Sequence, residues 1–390
     1  MSFDVVIVGG GLAGLALACA LRDSRLKIAL VENKPPRAAE GWDARVYAIS
    51  PANAEFLQQI GAWKHLDARR LAPIHAMQIH GDAGARLDFS AYDSGVDELG
   101  WIVESSLMAC ELWESVKRQS NLRLFCPATP RRLEMTPEAV HLELDEGQRL
   151  SCKLLVGADG RDSWVRQTAG LAVNETPYGE MGVVANFECE RPHHGTARQW
   201  FRDDGVLAWL PLAGEDSIHR FSMVWSTPAA HAAELLALPA EALCARVAAA
   251  GQQQLGALRC ITPASAFPLR LLRVPHIVAP RLALIGDAAH GIHPLSGHGI
   301  NLGYRDAASL AGLLGSAHVW QDIGSLPLLR RYQRARREEI LLMQYTTHTL
   351  RQLFHEKLPG LKLLRNAGMN LTNALPVVKN LLVRYALGTL

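Results

Sequence analysis

The sequence predicts an α/β fold: a parallel sheet assembled from separated stretches of chain, an inserted antiparallel sheet, and a C-terminal helical region. Three observations carry this prediction. A β-branched run breaks into a glycine-rich turn at residues 9–14, two more apolar runs end in Gly-Asp or Asp-Gly turns near residues 159 and 286, and several short strand-like runs fill residues 183–225.

Phe3-Asp4-Val5-Val6-Ile7-Val8 reads as a buried parallel strand, and a Leu/Ala-rich helix follows it. Between them lies Gly9-x-Gly11-x-x-Gly14. Gly9 permits the tight turn, Gly11 lets a pyrophosphate approach backbone N–H groups, and Gly14 allows close helix packing. Leu12 and Ala13 belong to the same turn, where the helix N-terminus favours an anion. A second strand, Lys27 to Val31, ends in Glu32, placed to accept hydrogen bonds from an adenosine ribose. Strand, helix and acid in this register indicate a Rossmann-like dinucleotide site rather than an empty turn.

Leu154-Leu155-Val156-Gly157-Ala158-Asp159-Gly160 is another apolar strand ending in a turn, and by itself Asp-Gly is ordinary turn chemistry. Arg281 to Ile285 is a third, ending at Gly286-Asp287 and leading through Pro294 to Gly297-His298-Gly299-Ile300-Asn301-Leu302-Gly303 before a helix. Asp287 is placed either to cap that helix or to meet a ligand. Three glycines between Gly297 and Gly303 carry a backbone-entropy cost that bare backbone lying against a flat ring would explain.

The bulk composition excludes several classes. With 390 residues, 49% hydrophobic and 20% charged, the chain is globular, and a formal net charge of +2 argues against nucleic acid as a partner. The 7 cysteines are scattered, without a C-x-x-C pair, which suits a reducing, cytoplasmic compartment. The apolar run from Val5 to Leu21 follows Asp4 and has no basic residue before Arg22, so it is expected to be a strand and helix of the fold and not a secretory signal. His290 and His293 lack acidic or cysteine partners nearby in sequence, and no metal is expected.

Taken together, Gly9-x-Gly11-x-x-Gly14, the Gly157–Gly160 stretch, and Gly286-Asp287 with Pro294 and Gly297-x-Gly299-x-Asn301 resemble the three fingerprints of the group A FAD-dependent aromatic monooxygenases. Asp43-Ala44-Arg45-Val46-Tyr47-Ala48-Ile49-Ser50, Ile60-Gly61-Ala62-Trp63, His293-Pro294-Leu295 and Gly303-x-Arg305-Asp306-Ala307 are similar to the ubiquinone-biosynthesis hydroxylase branch of that superfamily. The resemblance implies FAD as cofactor and a para-hydroxybenzoate hydroxylase-like fold. It implies that Glu32 holds the adenosine ribose, that Arg45 lies by the phosphates or ribityl chain, and that Gly286 and Asp287 meet the ribityl or pyrophosphate region. Asp159 would support the bound dinucleotide, and Pro294, Gly297, Gly299, Ile300 and Asn301 would line the isoalloxazine ring. His298 stands where this branch often has Gln, and Ser105 where it often has Asn, so neither receives a catalytic duty. The flavin carries the chemistry, and no side chain is assigned as catalytic.

The resemblance places residues 1–72, 96–175 and 270–335 in a discontinuous FAD-binding domain, 73–95 with 176–269 in a substrate-domain β-sheet, and 336–390 in a C-terminal helical region. Short runs at Val183–Phe187, Arg198–Phe201, Leu207–Leu210 and Phe221–Trp225 read as strands, with Ile74–Ile79 added at the edge. Trp200, Trp209 and Trp225 read first as core and only second as a pocket lining. After Asp306 the chain reads as helical to its end. Leu361, Leu364, Leu371 and Leu375 fall near one helical face, and residues 351–390 hold six basic residues against one acidic residue. Such a tail fits either a helical cap or a peripheral contact with an anionic membrane surface, here the inner face of the cytoplasmic membrane.

The implied reaction is hydroxylation of the ring of a polyprenylated phenol in ubiquinone biosynthesis through a flavin C4a-hydroperoxide, with oxygen as co-substrate. NAD(P)H or a protein electron donor would be the reductant, and a ubiquinone-biosynthesis complex is an expected partner. Two rival readings stand at this point: an FAD hydroxylase or epoxidase of another small aromatic or isoprenoid compound, and a non-catalytic flavin-binding assembly subunit.

Overall fold

The computed structural model describes residues 1–82, 84–214, 218–292, 297, 299–355, 366 and 373. The first apolar run forms the strand Ser2–Val8, whose last four residues are buried. It pairs in parallel with Arg149–Gly157 on one side and Ile28–Val31 on the other. Leu122–Phe125 and Leu282–Leu284 extend the parallel sheet outward, and Val278–Ala279 closes one edge antiparallel. Parallel strands need cover on both faces, which is why these runs are continuously apolar. The Leu12–Ala20 helix supplies part of that cover, with seven of its nine residues buried. It packs against the helices Ser105–Lys117 and Gly299–Gly315.

The four strands read from residues 183–225 exist as Asn174–Cys189, Thr196–Arg202, Gly205–Pro211 and Arg220–Pro228; the last three pair antiparallel in sequence order, and Asn174–Cys189 pairs antiparallel with Arg220–Pro228. Ser265–Arg273 and His290–Gly291 extend this sheet, so its strands run past residues 176 and 269. The expected edge strand differs from the observed one. Ala76–His80 pairs parallel with Thr196–Arg202, and Arg86–Ser90 folds back to cover its outer side as the true edge. The chain reverses after His80, with Gly81 N donating to Ala85 O at 2.8 Å. Ile74 belongs instead to Ala72–Ile74, in a small antiparallel sheet with Gly100–Glu104 and Val46–Ile49.

One face of the large antiparallel sheet is covered by the helices Ala229–Ala237 and Ala240–Ala250, and the three tryptophans lie there. Trp209 and Trp225 are 1% and 0% exposed, and Trp200 meets Trp209 edge-on at 4.8 Å. They are core. Strand alternation turns Val184, Asn186, Leu210, Ser222 and Val224 to the opposite face. Asn186 reaches the Asp43 carbonyl from there at 2.8 Å, so this face looks toward the 43–50 segment.

Among the described residues the chain continues from residue 299 with the helices Gly299–Gly315 and Leu326–His355, separated by a connection at residues 316–325. The leucine pattern from Leu361 to Leu375 lies outside the described residues. Two described positions of the tail meet the edge hairpin: Asn366 donates to Asp82 at 2.8 Å, and Asp88 N donates to Asn373 at 3.1 Å.

Candidate cofactor site

The three glycine-bearing turns, far apart in sequence, meet at the C-terminal ends of the parallel strands. Gly9 has φ +109°, and a Cβ there would overlap the Ala158 carbonyl of the second turn. A Cβ at Gly14 would overlap the Gly9 carbonyl, so the first turn is closed by glycine on both sides. Gly11 is different. Its backbone is extended, with φ −74°, and a Cβ would meet nothing within 4 Å. Gly11 is also the N-cap of the helix that begins with Leu12, Ala13 and Gly14, and no side chain caps it and no acid stands in its first turn. The first-turn amides are left for an anion.

Glu32 closes the second strand beside this turn. Its Oε2 accepts from Gly10 N and its Oε1 from Lys34 N at 2.9 Å, so the carboxylate is fixed at the rim by two backbone amides. Asp159 is likewise held inside its own loop: the Ser163 hydroxyl donates to one oxygen, and Val165 N donates to the other at 3.0 Å. Burial pushes its pKa up against these hydrogen bonds. Its carboxylate therefore shapes the loop that Gly9 touches.

Arg166, 3% exposed, bonds the second turn to the third, donating to Arg161 O and Ala288 O, each at 2.8 Å. Gly286 has φ +59°, and a Cβ there would lie 3.1 Å from the Ala13 side chain. All three turns are thus in contact. Next to Gly286, the Asp287 side chain is half exposed and faces Arg161 at 3.9 Å. It is not the N-cap of the Gly299–Gly315 helix, which starts twelve residues later.

Gly297, with φ +63°, lies against Ala48, and Gly299 borders open space. Ile300 and Asn301 follow in the first turn of the helix. The Asn301 amide donates to Ala48 O at 2.7 Å and accepts from Ser50 N and Asn53 Nδ2, both at 3.0 Å. Asn301 therefore fastens the 46–50 strand to the glycine loop. Pro294, with His293 and His298, lies outside the described residues.

Arg45 is exposed beside this loop, its backbone N held by Asp43 Oδ1 at 2.8 Å and its carbonyl accepting from Ser105 N at 2.9 Å. Burial pushes the Tyr47 phenol up, with the charges of Arg45 pulling it down and of Asp287 adding to the upward push.

Sequence reasoning assigned no role to the groups beneath the site. Asp306 is fully buried, accepting from Gly286 N at 2.9 Å, His290 Nε2 at 2.6 Å and Arg336 Nε at 2.7 Å. Arg336 continues to Glu339, which also binds Arg305. Glu104, 2% exposed, accepts from both Arg70 nitrogens at 2.7 Å and from Asp43 N at 2.7 Å, with burial pushing its pKa up. The Arg305-Asp306 pair stood in a quoted motif, but nothing local signals Arg336 or Arg70. Among the described residues, no cluster of three or more His, Cys, Asp or Glu is arranged to hold a metal.

The chain matches the family model described as an FAD binding domain over residues 2–343. It is 35% identical to ubiquinone hydroxylase UbiL of Rhodospirillum rubrum, over 99% of this chain and 90% of that protein. It is 33% identical to the 3-demethoxyubiquinol 3-hydroxylase of Escherichia coli, over 99% of this chain and 98% of that protein. Its fold matches the crystal structure of p-nitrophenol 4-monooxygenase from Pseudomonas putida with a TM-score of 0.79 at 20% identity, covering 99% of this chain and 98% of that one. The uncapped helix N-terminus, the glycine-only contacts and the full-length likeness agree: the chain is an FAD-dependent monooxygenase and belongs to the FAD-binding-domain family, in the branch that contains the ubiquinone hydroxylases.

Proposed function

We propose that this monooxygenase hydroxylates the aromatic ring of a polyprenylated phenol in ubiquinone biosynthesis. The observation that carries the reading is likeness along the whole chain, 35% and 33%, to two proteins named for ubiquinone and demethoxyubiquinol hydroxylation. Bound FAD, once reduced, supplies oxygen activation and delivery of one oxygen atom to an electron-rich ring.

The protein's own part is positioning. The amides at Gly11 to Gly14 would hold the pyrophosphate and Glu32 the ribose, while Asp287 and Arg45 would flank the ribityl and phosphate region. Gly297, Gly299 and Ile300, with Pro294, would lie along the ring, Gly286 would sit with Asp287 at the ribityl or pyrophosphate region, and Asp159 and Asn301 would act by holding their loops. The sheet face bearing Val184, Leu210 and Val224 would form an apolar wall that keeps water from the reacting ring.

The same reading places the protein in the cytoplasm, in peripheral contact with the inner membrane face, where a prenylated substrate resides. NAD(P)H or a protein donor would deliver electrons, and other enzymes of the pathway would be partners. Leu341, Leu342, Tyr345 and Leu350 are exposed on the Leu326–His355 helix, which supports such a contact. No helix among the described residues is long and apolar enough to cross a membrane.

The test is oxygen consumption and product mass spectrometry with FAD-loaded protein, a reductant and prenylated phenols. Formation of a product one oxygen heavier supports the reading. Turnover only of unprenylated aromatics would replace the substrate, and no oxygen use at all would leave an assembly role.

A further inference from the structure

Residues 42 and 43 stand where the cofactor side of the molecule meets the substrate-facing sheet, and Asp43 is held there from both. Asp43 N donates to Glu104 Oε1 at 2.7 Å, and its carboxylate accepts from Arg45 N at 2.8 Å and from Ser106 N at 2.9 Å. These bonds come from the cofactor side. The sheet supplies another: Asn186 Nδ2 donates to Asp43 O at 2.8 Å. Trp42 is placed in the same way. The Arg70 guanidinium, bound to Glu104, lies 3.9 Å from its ring centre, and the Arg220 guanidinium, from the Arg220–Pro228 strand, lies 5.7 Å away.

Asn186 is a costly residue for its place. Val184, Val224 and Leu210 on the same face are apolar, and Asn186 itself is 0% exposed. Its Oδ1 is buried without a hydrogen-bond partner, which destabilises the fold where an apolar side chain would not. Its backbone is fixed, with N donating to Thr262 Oγ1 at 2.8 Å and O accepting from Ile261 N at 2.9 Å. The amide therefore makes its bond from a rigid point of the sheet. That bond goes to the segment that continues through Arg45 to Ala48, against which Gly297 lies.

We infer that Asn186 is a positioning residue for oxygen transfer: through the Asp43 carbonyl it sets the spacing between the substrate-facing sheet and the cofactor-side segment. A monooxygenase turnover uses two electrons and two protons to send one oxygen atom to the ring and the other to water. When the ring is out of reach, the same electrons and protons leave with the oxygen molecule as hydrogen peroxide. Reacting geometry is steep with distance, so a wall displaced by about 1 Å lets the second outcome compete. The inference rests on the monooxygenase activity and not on which phenol is the natural substrate.

The experiment uses full-length protein loaded with FAD, photoreduced without oxygen, then mixed with oxygenated buffer and a phenol carrying a short prenyl chain. Hydroxylated product and hydrogen peroxide are counted per flavin. Asn186→Leu keeps the side chain's size and removes the donor. It should retain FAD and melt close to the parent, while the ratio of product to peroxide falls about tenfold or more. Trp42→Leu, at a partly exposed position, should shift the ratio in the same direction, and the two effects should combine non-additively in the double variant. Hydrogen exchange of the FAD-loaded, substrate-free protein should be faster at residues 42–46 in both variants. An unchanged ratio in both variants overturns the inference, as does a loss of product that only follows loss of FAD. If the parent leaves that phenol untouched, the substrate reading fails by itself and exchange decides: faster exchange supports the inference, and unchanged protection overturns it.

Discussion

Asp306 and Arg336 form a buried ion pair directly behind the third glycine turn: Arg336 Nε donates to Asp306 Oδ1 at 2.7 Å while Asp306 Oδ2 takes the Gly286 amide at 2.9 Å. The long C-terminal helix is thereby connected, through one carboxylate, to the residue that precedes Asp287 in the cofactor cleft. The pair is 0% and 5% exposed, so solvent cannot substitute for either partner.

Arg336→Met should therefore destabilise the protein by about 3–5 kcal/mol, because it strands a buried carboxylate. FAD retention should fall with it, since the Gly286 turn loses its anchor's charge partner. Urea unfolding with and without added FAD measures both. A loss under 1 kcal/mol would mean that His290 alone suffices.

The same carboxylate predicts an acid profile. Burial raises the Asp306 pKa, but His290 and Arg336 together outweigh burial and hold it below the ordinary carboxylate range. A depressed folded-state pKa gives stability that is full above the unfolded value, about 3.9, and is lost as pH falls through the lower folded value. The stability gap between the parent and Asp306→Asn should stay constant from about pH 7 down to about pH 5 and close only below about pH 4. Denaturation at a series of pH values checks this, and a gap that closes already near neutrality would contradict it.

Gly11 and Gly14 should fail in different ways. A side chain at Gly11 enters open space on an ordinary extended backbone, so Gly11→Val should fold normally and lose FAD by at least about tenfold in affinity, ~1.4 kcal/mol. A side chain at Gly14 collides with the Gly9 carbonyl, so Gly14→Val should cost about 1–3 kcal/mol of stability even without cofactor. Flavin absorbance of the purified variants, paired with apo-protein melting, distinguishes the two outcomes.

Asp287→Ala should leave the apo-protein within about 1 kcal/mol of the parent, because its one ion pair among the described residues is half exposed and 3.9 Å long. Its effect belongs to the cofactor: the colour of the purified protein should fade while the melting temperature without FAD stays put. Full retention of flavin by this variant and by Gly11→Val would move the cofactor elsewhere.

Much of the site was legible because its demands are local. A β-branched run into glycines, an acid at the end of the next strand and a Gly-Asp turn each follow from the conformations that single residues permit, and the structure brings all three turns into contact. The three tryptophans are core, as expected of large aromatic side chains in strands. The edge of the large sheet did not, since Ala76–His80 and Arg86–Ser90 have similar strand character and only pairing with Thr196–Arg202 decides which lies outside.

What the chain by itself determined is the buried strands that run into the glycine turns and the turns themselves, because backbone sterics and alternation act over a few neighbours. Tertiary structure alone decided which charges stand behind the site. Arg336 is 30 residues from Asp306, and Arg70 is 34 from Glu104. Ion pairs across such spans form only when separate elements have packed and water has been excluded, and no local pattern announces the partner.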